Sequence, residues 1–246
     1  MKLKRAIIFS DVHIPYQNEK CVNVVKNIIK ENKFDEIILA GDIIDGGDLS
    51  SYINYEEYKV SLSEELIMLK DFVDELRALS PNSKIVLIGC NHFDKRLDRY
   101  IRENINIDCI REEITPEKLL KKFEIDIDKK VPYNKVYFPF TQRQIGIIHG
   151  TESSKYFTEK YIKFYTHSLI VGHAHTTQHY RAENGIEVYG IGCMCKTDMA
   201  YLHGKPVRWN NSFAVLNYDY QSRKYFVEIL EIKNGYTCFD GKIYKG

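Results

Sequence analysis

A chain of 246 residues, 44% of them hydrophobic, holds enough apolar material for a substantial core, and with no linker, low-complexity tract or fixed-period repeat it reads as a single domain over 1–246. A formal charge of +1 and a pI near 7.6 exclude a strong field for nucleic acid or an anionic membrane, and six cysteines spread along this length exclude a disulfide scaffold, so free thiols are expected. The opening MKLKRAIIFSD offers an apolar run of only four residues, too short for a secretory or spanning segment, which predicts no membrane partner and a cytoplasmic location.

The first run, Ala6-Ile7-Ile8-Phe9, is too short for a helix and reads as a buried strand. Residues 18–30, opening at Asn18 with Val22, Val25, Ile28 and Ile29 on one side, read as an amphipathic helix. A second strand is expected at Glu36-Ile37-Ile38-Leu39-Ala40. Leu62, Leu66, Leu69, Val73 and Leu76 then repeat at helical spacing, with Ser61 and Glu64 set as a capping box and Pro81 ending the run. Strands follow at residues 84–88, 144–148 and 168–171, with a short helix opened by Thr115-Pro116-Glu117 before the second of these. From about residue 177 the pattern changes to period-two segments at 178–182, 186–191, 213–218 and 224–232 and a final Tyr/Phe-rich hairpin, read as antiparallel hairpins that complete the sheets. Strand–helix alternation followed by hairpins predicts an α/β fold with sheets face to face and helices outside.

Each of the five apolar runs leads into residues of metal-ligand type: Asp11-Val12-His13, Gly41-Asp42-Ile43-Ile44-Asp45, Gly89-Cys90-Asn91-His92-Phe93-Asp94, His149-Gly150 and Gly172-His173-Ala174-His175. Ligands of open α/β sheets bind beyond the carboxyl ends of the strands, so five such loops converge on one crevice. In an extended chain residues i and i+2 point the same way, which aligns Asp11 with His13 and His173 with His175. The adjoining Gly41, Gly89, Gly150 and Gly172 suit sharp turns in a crowded centre. Carboxylates, imidazoles and an amide without thiolate suit Mn, Fe or Zn rather than Ca. Asp11, His13, Asp42, Asn91, His149, His173 and His175 exceed one four-coordinate shell, which predicts two divalent transition-metal ions sharing Asp42. A lone DxH or a lone strand-end His carries little weight; the ordered recurrence of five segments carries the reading. His167, His179 and His203 fall outside it and read as structural, as does the CxC of Cys193 and Cys195, which lacks a second cysteine pair.

The ordered set DVH, GDIID, GCNHFD, IIHG and GHAH, from Asp11 to His175, resembles the calcineurin-like metallophosphoesterase superfamily, and the tail from Gly192 to Ala214 resembles its small bacterial and phage members. The resemblance implies a four-layer αββα sandwich of two mixed β-sheets flanked by helices, with metals at one edge. Carried over by position, one metal takes Asp11, His13, Asp42 and His175, and the other Asp42, Asn91, His149 and His173. His92 then stands free of metal as the acid or transition-state stabiliser, with Asp45 pairing to it. Two departures stand out. Cys90 sits between Gly89 and Asn91, where the family has glycine directly before asparagine. Gly46-Gly47 replace the Arg-Gly of the protein phosphatases, so a phosphate clamp is missing and a phosphoprotein substrate is disfavoured.

The implied chemistry is hydrolysis of a phosphoester by a two-metal-bridged hydroxide, with His92 assisting the leaving oxygen and Mn the preferred ion. A phosphodiester is the leading substrate and a phosphomonoester the runner-up. Lys95, Arg96 and Arg99 beyond His92 raise a DNA/RNA nuclease, although basic residues on a helix are usually a solvated face. A non-catalytic metal-binding interaction scaffold is the rival from another class. Substrate-contacting residues and oligomeric state have no signal in the sequence.

Overall fold

The computed structural model describes residues 3–51, 60–199, 202 and 205–246. The elements in chain order are β1 (Leu3–Phe9), α1 (Glu19–Glu31), β2 (Glu36–Leu39), α2 (Leu62–Leu79), β3 (Lys84–Ile88), α3 (Arg96–Asn104), α4 (Asp108–Arg111), α5 (Pro116–Lys122), β4 (Lys129–Val131), β5 (Ile145–Ile148), α6 (Phe157–Ile162), β6 (Ser168–Val171), β7 (Gln178–Arg181), β8 (Glu187–Gly190), β9 (Ser212–Asp219), β10 (Lys224–Glu231), β11 (Tyr236–Phe239) and β12 (Lys242–Lys245). The predicted caps are in place. The Asn18 side chain accepts from the Cys21 N–H at the start of α1, Ser61 and Glu64 form a reciprocal capping box on α2, and Thr115 caps α5 with Pro116 in its first turn.

The six-stranded sheet runs β10-β9-β1-β2-β3-β4, parallel from β1 to β4 and antiparallel at β9 and β10. The four-stranded sheet runs β5-β6-β8-β7. Strands β7 and β8 form the expected hairpin, but β8 also pairs parallel with β6, so the region after residue 177 is not wholly antiparallel. The β11-β12 hairpin packs on α1 through Phe239 and Tyr244.

Period-two alternation explains the layering. On β1 and β2, Ile7, Phe9, Ile37 and Leu39 face α1 and α2, while Ala6, Ile8 and Ile38 face Ile145, Ile147 and Ile170 of the second sheet. A third cluster packs Phe157 and Tyr161 of α6 against Leu169, Val171 and Val188 on the far side of that sheet. The result is helix, sheet, sheet, helix: the four layers expected. Each fully buried Ile, Leu or Phe contributes about 1.5–3 kcal/mol, so clusters on both faces hold each sheet. Three elements have no sequence expectation: α4, β4 and α6. They are short, and β4 is mostly lysine. No helix among the described residues is long and apolar enough to cross a membrane.

Candidate metal centre

The five loops meet beyond the C-terminal ends of β1, β2, β3, β5 and β6. Strand alternation is not what aligns their side chains. Asp11, His13, Asp42, His173 and His175 all have positive φ, between 48° and 66°, in the left-handed region that side chains other than glycine seldom adopt. Conformations of this kind cost about 1–3 kcal/mol each and persist only where surroundings impose them. Here the N–H groups of Asp11 and His13 donate to the carbonyls of Gly41 and Asp42, and that of His173 donates to Asp11 Oδ2. Crowding accounts for two of the glycines. A Cβ on Gly41, itself at φ +93°, falls 2.5 Å from the His149 ring, and one on Gly172 falls 2.6 Å from Ser10 Oγ.

Hydrogen bonds behind the centre set the tautomers. His149 Nδ1 donates to the Ala40 carbonyl at 2.9 Å, and His13 Nδ1 donates to Asp45 Oδ1 at 2.9 Å, leaving both Nε2 atoms for the centre. That is the arrangement by which an outer oxygen orients a metal-binding imidazole. His149 Nε2 lies 3.0 Å from Asp42 Oδ2 and 3.0 Å from Asn91 Oδ1, and His175 Nε2 lies 3.0 Å from Asp11 Oδ1 and 3.2 Å from His13 Nε2. Two ligand groups contain Asp42, one with His149 and His173 and one with His13 and His92; a third joins His13, His175 and Cys195.

Burial and charge oppose each other throughout. Burial pushes the His149 and His175 imidazoles down, but the charges of Asp42 and Asp11 outweigh it and raise them to about 9 and about 10. His173, desolvated and facing the charge of His149, falls to about 4. Burial raises Asp11 and Asp42, yet the surrounding imidazoles hold both below the usual carboxylate range. Buried Asp11 Oδ1 accepts no well-directed hydrogen bond despite the nearby imidazole. An orphaned carboxylate oxygen among converging nitrogens and an amide oxygen fits divalent transition metals.

Every candidate residue of the sequence reading reaches this centre, and two residues there do more than expected. The Asp45 carboxylate lies 3.5 Å from His92 Nδ1, the expected partner, and also, closer, 2.9 Å from His13 Nδ1. His92 Nδ1 also donates to the Asp45 carbonyl at 2.7 Å. Arg96, read as part of a solvated face, turns back onto the site and donates to the carbonyls of Asp45 and Gly46, with Nη2 3.2 Å from His92 Nε2. Arg99 bonds the Leu49 carbonyl in the same manner. A cation therefore stands near the position where Gly46 and Gly47 replace the arginine of the protein phosphatases. Its available signal was the i+4 spacing from His92.

Glu65 has no sequence expectation. Glu65 lies within the apolar stripe of α2, is 1% exposed, and accepts the N–H groups of Gly46 and Gly47 at 2.7 and 3.2 Å. An acid on the buried face of a helix was the legible clue. Cys195, read as structural, has its sulfur 3.8 Å from His175 Nδ1. Cys90 is buried in extended backbone and leads into a π-helical turn over Asn91–Lys95, with its N–H held by Asp94. All six cysteines are free. His167 packs on Phe138 and Tyr165, and His179 stacks on Tyr189, outside the centre; His203 and part of the Gly192–Ala214 tail lie outside the described residues.

Fold and site together define a two-sheet α/β protein with a His/Asp/Asn centre at its strand ends. The chain belongs to the calcineurin-like phosphoesterase family, whose model matches residues 4–177. Membership supports metal-dependent phosphoester hydrolysis in general. Among solved structures, vacuolar protein sorting 29 from Cryptosporidium parvum is 13% identical over 99% of this chain and 96% of its own, with a TM-score of 0.50. Vps29 from Chaetomium thermophilum is 13% identical over 98% of each chain, with a TM-score of 0.51. At this identity the likeness shows the fold alone. No match is found among curated protein sequences.

Proposed function

We propose that the chain is a two-metal phosphodiesterase. The observation that carries the reading is that buried Asp42 converges with His149 and His173 in one ligand group and with His13 in another, so its carboxylate is within reach of both proposed positions. Asp11, His13, Asp42 and His175 would hold one ion and Asp42, Asn91, His149 and His173 the other, with Mn favoured by the oxygen-and-imidazole set. Bound there, the ions supply a nucleophile at neutral pH and offset charge on the phosphoryl oxygens.

The remaining work falls to the chain. Asp45 and the Ala40 carbonyl keep the His13 and His149 rings in the binding tautomer. His92, with Nε2 3.8 Å from Asp42 Oδ2 and its ring fixed through Nδ1, would assist the leaving oxygen by carrying a proton on Nε2 in place of the contact that Arg96 Nη2 makes there. Arg96 beside it adds positive charge where negative charge develops. The test is metal-loaded protein assayed on bis(p-nitrophenyl) phosphate and on p-nitrophenyl phosphate. Metal-dependent turnover with the diester preferred is expected. Preference for the monoester would change the substrate class, and two bound ions without turnover of either would leave a metal-binding interaction scaffold.

A further inference from the structure

A cleft of about 620 Å³ opens directly from the candidate metal centre and extends well past it. That volume lies in the range of small-molecule sites, about 300–1,000 Å³, and exceeds what a phosphoryl group alone requires. One wall is the centre itself, through His13, Asp42, His92, His173 and His175. The rest of the lining has a different chemistry: Ser153, Ser154 and Lys155 from the loop after β5, and Arg208 and Trp209 from the segment before β9. Among the described lining residues, the only carboxylate is Asp42 itself.

This second part of the lining is tied to the first. The Asn210 N–H donates to the His175 carbonyl, the Thr177 N–H donates to Asn210 Oδ1, and Thr176 Oγ1 donates to the Arg208 carbonyl. These bonds run from the segment carrying Trp209 to the loop carrying His175, and they set the indole 4.2 Å, centroid to centroid, from the His175 ring. Arg208 and Lys155 are exposed. An aromatic ring fixed beside the reaction centre, with two cations and two hydroxyls along an open groove, matches the physics of single-strand binding: a π-face for any base and charges for the backbone.

Building on the phosphodiesterase reading, we infer that the substrate class is single-stranded nucleic acid. A base stacks on Trp209, the adjoining phosphate is met by Arg208 and Lys155, and the scissile phosphate lies at the metal centre. Water adds to phosphorus, the P–O bond to one nucleoside breaks, and the water's proton ends on the leaving oxygen. The products are a free hydroxyl and a strand ending in a phosphomonoester.

Trp209 is the chain's single tryptophan, so emission excited selectively at the red edge of indole absorption, where the tyrosines do not absorb, reports this part of the lining alone. The experiment titrates the full-length protein, before metal addition, with a four-residue thymidine oligonucleotide. It then compares kcat/KM for that oligonucleotide and for methyl p-nitrophenyl phosphate in the Mn-loaded wild type, Trp209→Ala, Trp209→Phe and Arg208→Ala, with metal content measured throughout. Stacking typically gives about 1–3 kcal/mol per base, so saturable quenching is expected, and Trp209→Ala should lower the oligonucleotide-to-small-diester ratio about tenfold, with Trp209→Phe restoring much of it. Arg208→Ala should keep the quenching but flatten the dependence of log K on log salt by about 0.7. Absent quenching, an unchanged ratio in Trp209→Ala, or a phosphoserine peptide preferred to the oligonucleotide would overturn the inference while leaving hydrolysis of the small diester intact. Failure to hydrolyse either diester with two ions bound would instead overturn the phosphodiesterase reading.

Discussion

The two sheets contribute unlike halves of one centre. Loops after β1, β2 and β3 bring both carboxylates, the amide and His13, whereas loops after β5 and β6 bring only imidazoles, those of His149, His173 and His175. The contacts that cross between the halves include imidazole to carboxylate, His149 to Asp42 and His175 to Asp11, both at 3.0 Å, and imidazole to amide, His149 to Asn91, also at 3.0 Å. The anionic half thus sets the charge state of the cationic half: it raises His149 and His175 to about 9 and about 10 despite burial. Ligands of opposite charge, each too costly to bury alone, are stable only across the gap. Removing a residue from one half is therefore not equivalent to removing its partner from the other.

The largest break is expected at Asp42, where the halves meet. Asp42→Ala removes a carboxylate common to two ligand groups and leaves the buried His149 ring without its main partner. Metal content should fall from two ions per chain toward none, with activity lost. Asp11→Ala should chiefly weaken the position shared with His13 and His175, so about one ion should remain. Metal analysis of both variants checks this; full occupancy in Asp42→Ala would remove the bridge.

A second effect lies wholly in the anionic half. His92 holds its place through the Asp45 carbonyl, and its backbone N–H donates to Asp42 Oδ1 at 3.1 Å. Loss of a general acid typically costs about 10²–10⁴-fold, so His92→Ala should lower kcat by about that factor with both ions retained. The loss should shrink for p-nitrophenolate, a weakly basic leaving group. Equal losses on activated and unactivated diesters would move the role from proton donation to stabilisation of charge, which the neighbouring Arg96 is placed to share.

The unequal halves were partly legible in the sequence. The five strands were readable because each is a run of Ile, Val or Leu buried on both faces, and the ligands because they stand at the ends of those runs. What brings Asp11 and His13 together was not readable: left-handed backbone at non-glycine residues is imposed by cross-loop hydrogen bonds, and neither residue type announces it. Arg96 and Arg99 look solvent-bound in a helix such as RLDRYIREN, since the carbonyls they cap belong to a loop some fifty positions away in the chain. The parallel pairing of β8 with β6 was hidden for a related reason. Period-two alternation reports a half-exposed strand, not the direction of its neighbour.

The smallest effect sharpens the comparison by touching stability in the anionic half alone. Glu65 accepts the Gly46 and Gly47 N–H groups and so braces the loop whose Asp45 carbonyl orients both His92 and Arg96. Burial raises its carboxyl to about 7 from a usual 4.5, although the two N–H groups pull the other way. A group with a raised folded pKa leaves the native state holding more protons than the unfolded one, so its contribution is fully present below about pH 4.5 and is lost as pH rises through about 7. One pKa unit is worth about 1.4 kcal/mol, and between pH 5 and pH 7 the part lost comes to about 2 kcal/mol. Glu65→Gln keeps the shape and one acceptor but cannot titrate in this range. Urea unfolding of both proteins at pH 5 and pH 7 should therefore show wild type losing about 2 kcal/mol more than the variant across the interval. Parallel slopes would mean that Glu65 is ionised in the folded protein across the whole interval and that its bonds to Gly46 and Gly47 outweigh its burial.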